Sequence, residues 1–152
     1  MTTYEDLLVL SDKEELIVKE KPLQGSEGRI KGNRIAIKRN MPTIKKKCAL
    51  AEELGHHYTT VGDITAQITI EEQKQEYKAR LWAYNKLIGL QGILSAYKAG
   101  CHTLIEMAEH LEVSEEFLAE ALECYRKKYG VCTKINNYVI YFEPNLGVME
   151  LL

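Results

Sequence analysis

At Met41-Pro42 the hydrophobic period of this chain changes, and that change constrains the fold more than any other feature. Before it lie three short β-like runs, Leu16 to Val18, Arg29 to Lys31 and Arg34 to Lys38, the last with Ile35 and Ile37 between polar neighbours. A period of two is that of a half-buried strand, whose successive side chains point to opposite faces. Gly25, Gly28 and Lys31-Gly32-Asn33 supply turns, and Lys31-Gly32-Asn33-Arg34 fits a hairpin between the second and third runs. A short amphipathic segment with Tyr4, Leu7 and Leu8 precedes them. Beyond Met41-Pro42 the apolar residues recur mainly at helical spacing, and strands followed by helices predict an α+β fold.

Thr43 is a candidate N-cap for a helix running to about Thr59. At roughly 100° per residue, Ile44, Leu50, Ala51, Leu54 and Tyr58 share one arc, while Glu52 and His56 fall together nearly opposite. Thr69 with Glu72 forms a capping box for the next helix, whose later half is largely apolar through Leu81, Trp82, Ala83, Leu87 and Ile88. Thr103 with Glu106 is a second box, opening Leu104, Met107, Ala108 and Leu111; a turn at Glu112-Val113-Ser114 then leads into a helix from Glu115 to about Lys128. Residues 103–127 thus have a helix-turn-helix outline. After Gly130, two alternating runs around Asn136-Asn137 predict a hairpin over residues 130–143. The expected architecture is one domain, residues 1–152, with the small sheet packed on the helices carrying Glu52 and Glu76, then the helix pair and the hairpin. A domain of this length buries roughly 68 to 70% of its unfolded surface, so a metal would serve function before stability.

Lys and Arg number 20 against 22 Asp and Glu, a net charge of -2 that excludes a generally basic nucleic-acid binder and leaves only a local patch open. No apolar run spans a bilayer, and the start MTTYEDLLVL is acidic where an export signal is basic, so the expectation is a soluble cytoplasmic protein with no membrane partner. Cys48, Cys101, Cys124 and Cys132 lack CxxC spacing and read as reduced, buried or half-buried thiols.

The segment Ala49-Leu50-Ala51-Glu52-Glu53-Leu54-Gly55-His56-His57-Tyr58 carries the chemistry. A zinc hydrolase helix puts two ligands at i and i+4, facing one ion, with a Glu directly after the first to take a proton from the bound water. Glu52 and His56 have the ligand spacing, Glu53 the base position, and Glu52 stands where the usual motif has His. One residue later, Glu53 and His57 keep the spacing, but Leu54 falls at the base position and cannot act. The stretch L-A-E-E-L-G-H-H at 50–57, joined by E-x-x-A-x-x-W-A at Glu76, Ala79, Trp82 and Ala83, resembles the ImmA/IrrE-type metallopeptidases, regulatory proteases of phages and integrated mobile elements. The resemblance covers most of the chain. It implies Glu52, His56 and Glu76 as metal ligands and Glu53 as general base. It implies zinc as cofactor, and as substrate a helix-turn-helix repressor encoded on the same element. Two carboxylates and one His bring the site near neutrality with a divalent ion, which weakens the Lewis acid, and the harder donors admit manganese or iron(II).

Other residues have plainer expectations. His57 points about 100° from His56 and reads as a packing or supporting residue. His102 and His110 read as surface residues. Tyr58, Tyr84 and His102 are each chemically able to stabilise an oxyanion. Tyr77, Trp82 and Tyr84 read as core and cleft wall, and Lys45-Lys46-Lys47 as a solvated helix face. The leading edge of the second helix in the pair, Ser114-Glu115-Glu116-Phe117 with Glu120 and Glu123, would repel phosphates; it is expected to pack or dock protein, with no direct nucleic-acid contact. Two further classes remain beside the peptidase: a degenerate relative that binds its partner without cutting it, and a DNA-binding regulator.

Overall fold

In the computed structural model, which describes residues 1–59 and 70–152, the chain divides into two units, Met1–Leu87 and Ile88–Leu152. Both combine helices with a three-stranded sheet, so the fold is α+β.

The first unit opens with α1 (Tyr4–Lys13). The Thr3 hydroxyl accepts from the Asp6 N–H at 3.1 Å, and the Thr3 N–H donates to Asp6 Oδ2 at 2.9 Å, a reciprocal cap for two donors that the helix leaves unpaired. Then come β1 (Ile17–Lys21), β2 (Gly28–Lys31) and β3 (Arg34–Lys38). β2 and β3 form the expected hairpin with Lys31 opposite Arg34, and β1 pairs in parallel with the other side of β3, giving the order β1-β3-β2. Ile35 and Ile37 of the central strand are buried, and both β2 and β3 contact α2 (Thr43–Thr59), so the small sheet packs on the helix carrying Glu52 as expected.

Thr43 is already helical: the Pro42 carbonyl accepts from the Lys46 N–H at 3.1 Å, so the cap position falls earlier than Thr43. Ile44 and Tyr58, expected on the buried arc, are exposed because they sit in the first and last turns of the helix. Lys45-Lys46-Lys47 is only partly a solvated face, since Lys46 pairs with Glu20 and Lys47 is buried. α3 (Ile70–Leu87) follows; its expected cap, Thr69, lies outside the described residues. α2 and α3 meet backbone to backbone. A Cβ on Gly55 would stand 2.1 Å from the Ala79 carbonyl oxygen, and Ala51, Ala79 and Ala83 are fully buried along the contact.

The second unit begins with a helix that the sequence reading did not anticipate, α4 (Gly89–Lys98), bracketed by left-handed Gly89 and Gly100 and burying Ile93, Leu94 and Ala96. Gly92 hid it, because glycine weakens a helix unless packing requires it. Here a Cβ would press within 3.2 Å of the Leu111 side chain. α5 (Leu104–Leu111) and α6 (Glu115–Tyr129) match the predicted pair. The Thr103 hydroxyl accepts from the Glu106 N–H and the Ser114 hydroxyl from the Phe117 N–H, each at 3.1 Å. β4 (Cys132–Ile135) and β5 (Tyr138–Tyr141) form the expected hairpin, and an unanticipated β6 (Gly147–Glu150) adds to β5. Tyr125 is fully buried in α6, its hydroxyl accepting from the Gly89 N–H at 3.2 Å. All four cysteines are free thiols, but Cys132 is exposed rather than buried, because β4 is an edge strand of its sheet. Among the described residues no helix is long and apolar enough to cross a membrane.

Candidate active site

The contact between Gly55 and Ala79 sets the spacing of the site. Glu52 and His56 flank Gly55 on α2, and Glu76 lies three residues before Ala79 on α3, so the close approach of the two backbones brings opposing side chains within reach. His56 Nε2 stands 3.2 Å from Glu76 Oε2. The other carboxylate oxygen of Glu76 accepts from Arg80 Nε at 2.9 Å, one helical turn on. Sequence reasoning missed Arg80, although its i+4 spacing from Glu76 was a readable signal.

Glu53 faces the sheet. A Cβ on Gly28 would lie 3.1 Å from Glu53 Cγ and 3.2 Å from Oε1, so β2 closes over this carboxylate only because residue 28 has no side chain. Burial pushes the Glu53 carboxyl up to about 7, and repulsion from Glu52 and then Glu76 adds to the shift. A carboxyl that titrates near neutrality can both take and return a proton at working pH.

The donors can be tested against an ion. Two ligands on a tetrahedral zinc, each about 2.0 to 2.2 Å from it, lie roughly 3.3 to 3.6 Å apart. The separation of His56 and Glu76 is close to that edge. Among the described residues no group of three or more His, Cys, Asp or Glu is arranged to hold an ion, while Glu52 lies within electrostatic reach of Glu53 and Arg80. Two of the three expected ligands are thus brought together, with Glu53 near Glu52 and Glu76.

His57 lies off this cluster, its Nε2 3.2 Å from Glu14 Oε2. Tyr58 stacks on Trp82 with ring centroids 4.9 Å apart, and burial and then Glu14 push its phenol up. Tyr84 is buried and His102 is exposed. His110 is half-buried instead of exposed, its Nε2 2.9 Å from Ser95 Oγ. In the second unit a cleft of about 350 Å³ is lined by Ile93, Tyr97, His102, Leu104, Met107 and Val148 among others. No carboxylate lines it, so it offers space for a ligand without an acid–base pair.

Searches of curated proteins and of solved structures find no match. The family model described as the IrrE N-terminal-like domain, peptidase M78, matches residues 13–123, which take in α2, α3, α4, α5 and the first part of α6. On that match, over most of its length, the chain belongs to the M78 peptidase family.

Proposed function

We propose that this chain is a metal-dependent endopeptidase that cuts a regulatory protein, with a helix-turn-helix repressor of a phage or mobile element as its substrate. The observation that carries the reading is the juxtaposition of His56 with Glu76, 3.2 Å apart, beside a buried Glu53. Glu52, His56 and Glu76 would hold the ion, zinc in the first instance, with manganese or iron(II) compatible with two carboxylates. When bound, the metal supplies a Lewis acid that polarises the scissile carbonyl and acidifies water. Glu53 takes the proton of the attacking water and returns it to the leaving amine, and its place beneath Gly28 holds it in one orientation while it does so. The protein would work in the cytoplasm, where such a substrate resides.

A second reading is favoured by the Arg80 contact: a Glu76 already neutralised by a guanidinium suits an ion-pair network in a relative that binds its partner without cutting it. One experiment separates the two. Metal content of the purified protein is measured beside cleavage of the candidate repressor, for the parent, Glu53→Gln and His56→Ala. The peptidase reading expects a metal in the parent and in Glu53→Gln, turnover lost in Glu53→Gln, and both lost in His56→Ala. A parent that binds no divalent metal and cuts nothing moves the protein to the second reading.

A further inference from the structure

We infer that the outward face of the N-terminal sheet docks an acidic, extended segment of a partner polypeptide. Residues paired in register project to the same side of a sheet. Ile17 pairs with Arg34, Lys19 with Ala36 and Lys21 with Lys38, while Arg29 pairs with Ala36 and Lys31 with Arg34. Lys19, Lys21, Arg29, Lys31, Arg34 and Lys38 therefore share one face. Glu20, the sole acid in the three strands, pairs with Ile37 on the opposite face, where it engages Lys46. Among the described residues, none of the six cations has an ion-pair partner, and all but the half-buried Lys38 are exposed. Two pairs of like charge, Lys31 with Arg34 and Lys21 with Lys38, stand directly opposite one another. Such pairs destabilise a sheet, and a bound anion relieves that repulsion.

The shape selects the occupant. Lys19, Lys21, Lys31 and Arg34 surround a hollow of about 250 Å³ that is also lined by Ile17, Ile35 and Ala36. Alternate residues of an extended strand are about 6.6 to 6.8 Å apart, which is the spacing of Lys19 and Lys21 and equally that of acids at alternate positions in an extended peptide. Three strands span only about 10 Å, a width that admits one chain and not a stiff duplex. The strands contain no aromatic residue on which unpaired bases could stack. Ile17 is the only large apolar side chain exposed in them, too little to insert into a lipid surface. Docking does not depend on hydrolysis; only the assignment of the segment to a substrate rests on the peptidase reading.

The test is fluorescence anisotropy with the full chain and four labelled probes: oligo-glutamate, oligo-serine, random single-stranded DNA and random duplex DNA. Oligo-glutamate should bind in preference to the other three at an ionic strength of about 0.01 M. Binding should weaken toward about 0.15 M, as the Debye length falls from about 30 to about 8 Å. Lys19→Glu with Arg34→Glu should weaken binding roughly ten-fold, whereas Lys45→Glu on α2 should leave it unchanged. Oligo-glutamate that binds no better than oligo-serine overturns the inference, as does binding that ignores salt. Tighter binding of either DNA overturns it too and assigns the face to nucleic acid. Metal content and the Glu53→Gln comparison do not enter this assay, so the peptidase reading fails or stands separately.

Discussion

Gly55 is the least replaceable residue in the site, although it carries no chemistry. An added methyl would meet the Ala79 carbonyl at 2.1 Å, and a backbone atom cannot rotate aside, so Gly55→Ala must separate α2 from α3. Overpacking typically costs about 1 to 3 kcal/mol; the upper end is expected here, read as a lowered urea midpoint, and on the proposed peptidase reading the metal would also be held more weakly as His56 and Glu76 move apart. Glu52→His tests a different property. If Glu52 is a ligand, a second imidazole should raise zinc affinity and extend activity to lower pH, because the ion regains positive charge and acidifies its water further. Zinc titration of both proteins measures it, and an affinity unchanged by the substitution removes Glu52 from the ligand set. The residues of the candidate site were read from the sequence: motif spacing marked Glu52, His56 and Glu53, and family resemblance added Glu76. Gly28 and Gly55 were not, because the atoms that forbid a side chain there belong to residues distant along the chain.

Among the elements, α5 and α6 followed sequence most closely, because a cap is a contact between residues three apart. Thr3→Ala removes the hydroxyl that accepts the Asp6 N–H in α1 and should cost about 1 kcal/mol at neutral pH, measured by chemical unfolding. The Thr3 backbone and then its hydroxyl hold the Asp6 carboxyl below the usual range. A depressed folded pKa stabilises above the unfolded value and is lost as pH falls through the folded one, so the penalty of Thr3→Ala should shrink below about pH 4. An undiminished penalty at pH 3 would show that Asp6 plays no part in the cap. The elements that escaped notice were decided by tertiary pairing. α4 tolerates Gly92 because Leu111 packs against it, β6 exists because β5 offers an edge, and the parallel joining of β1 to β3 has no signature in either strand alone.

At the scale of the whole molecule, a net charge of -2 conceals segregation. The outer face of the first sheet is cationic, while α6 leads with exposed Glu115, Glu116 and Glu120. Summed charge left a local basic patch open, and only register could show where it lies. Replacing those three glutamates with Gln should strengthen low-salt binding of random duplex by relieving phosphate repulsion, measurable by mobility shift; tight, sequence-selective binding by the parent would instead make the helix pair a DNA reader. The family match runs from residue 13 to residue 123, across both units, yet the spacing on which its chemistry depends is set by a glycine and an alanine carbonyl. Neither contributes a side chain that could be traded for another. The distance between α2 and α3 is thus fixed without reference to the side chain at position 52, so a substitution there changes the chemistry of the cleft and leaves the spacing of its walls in place.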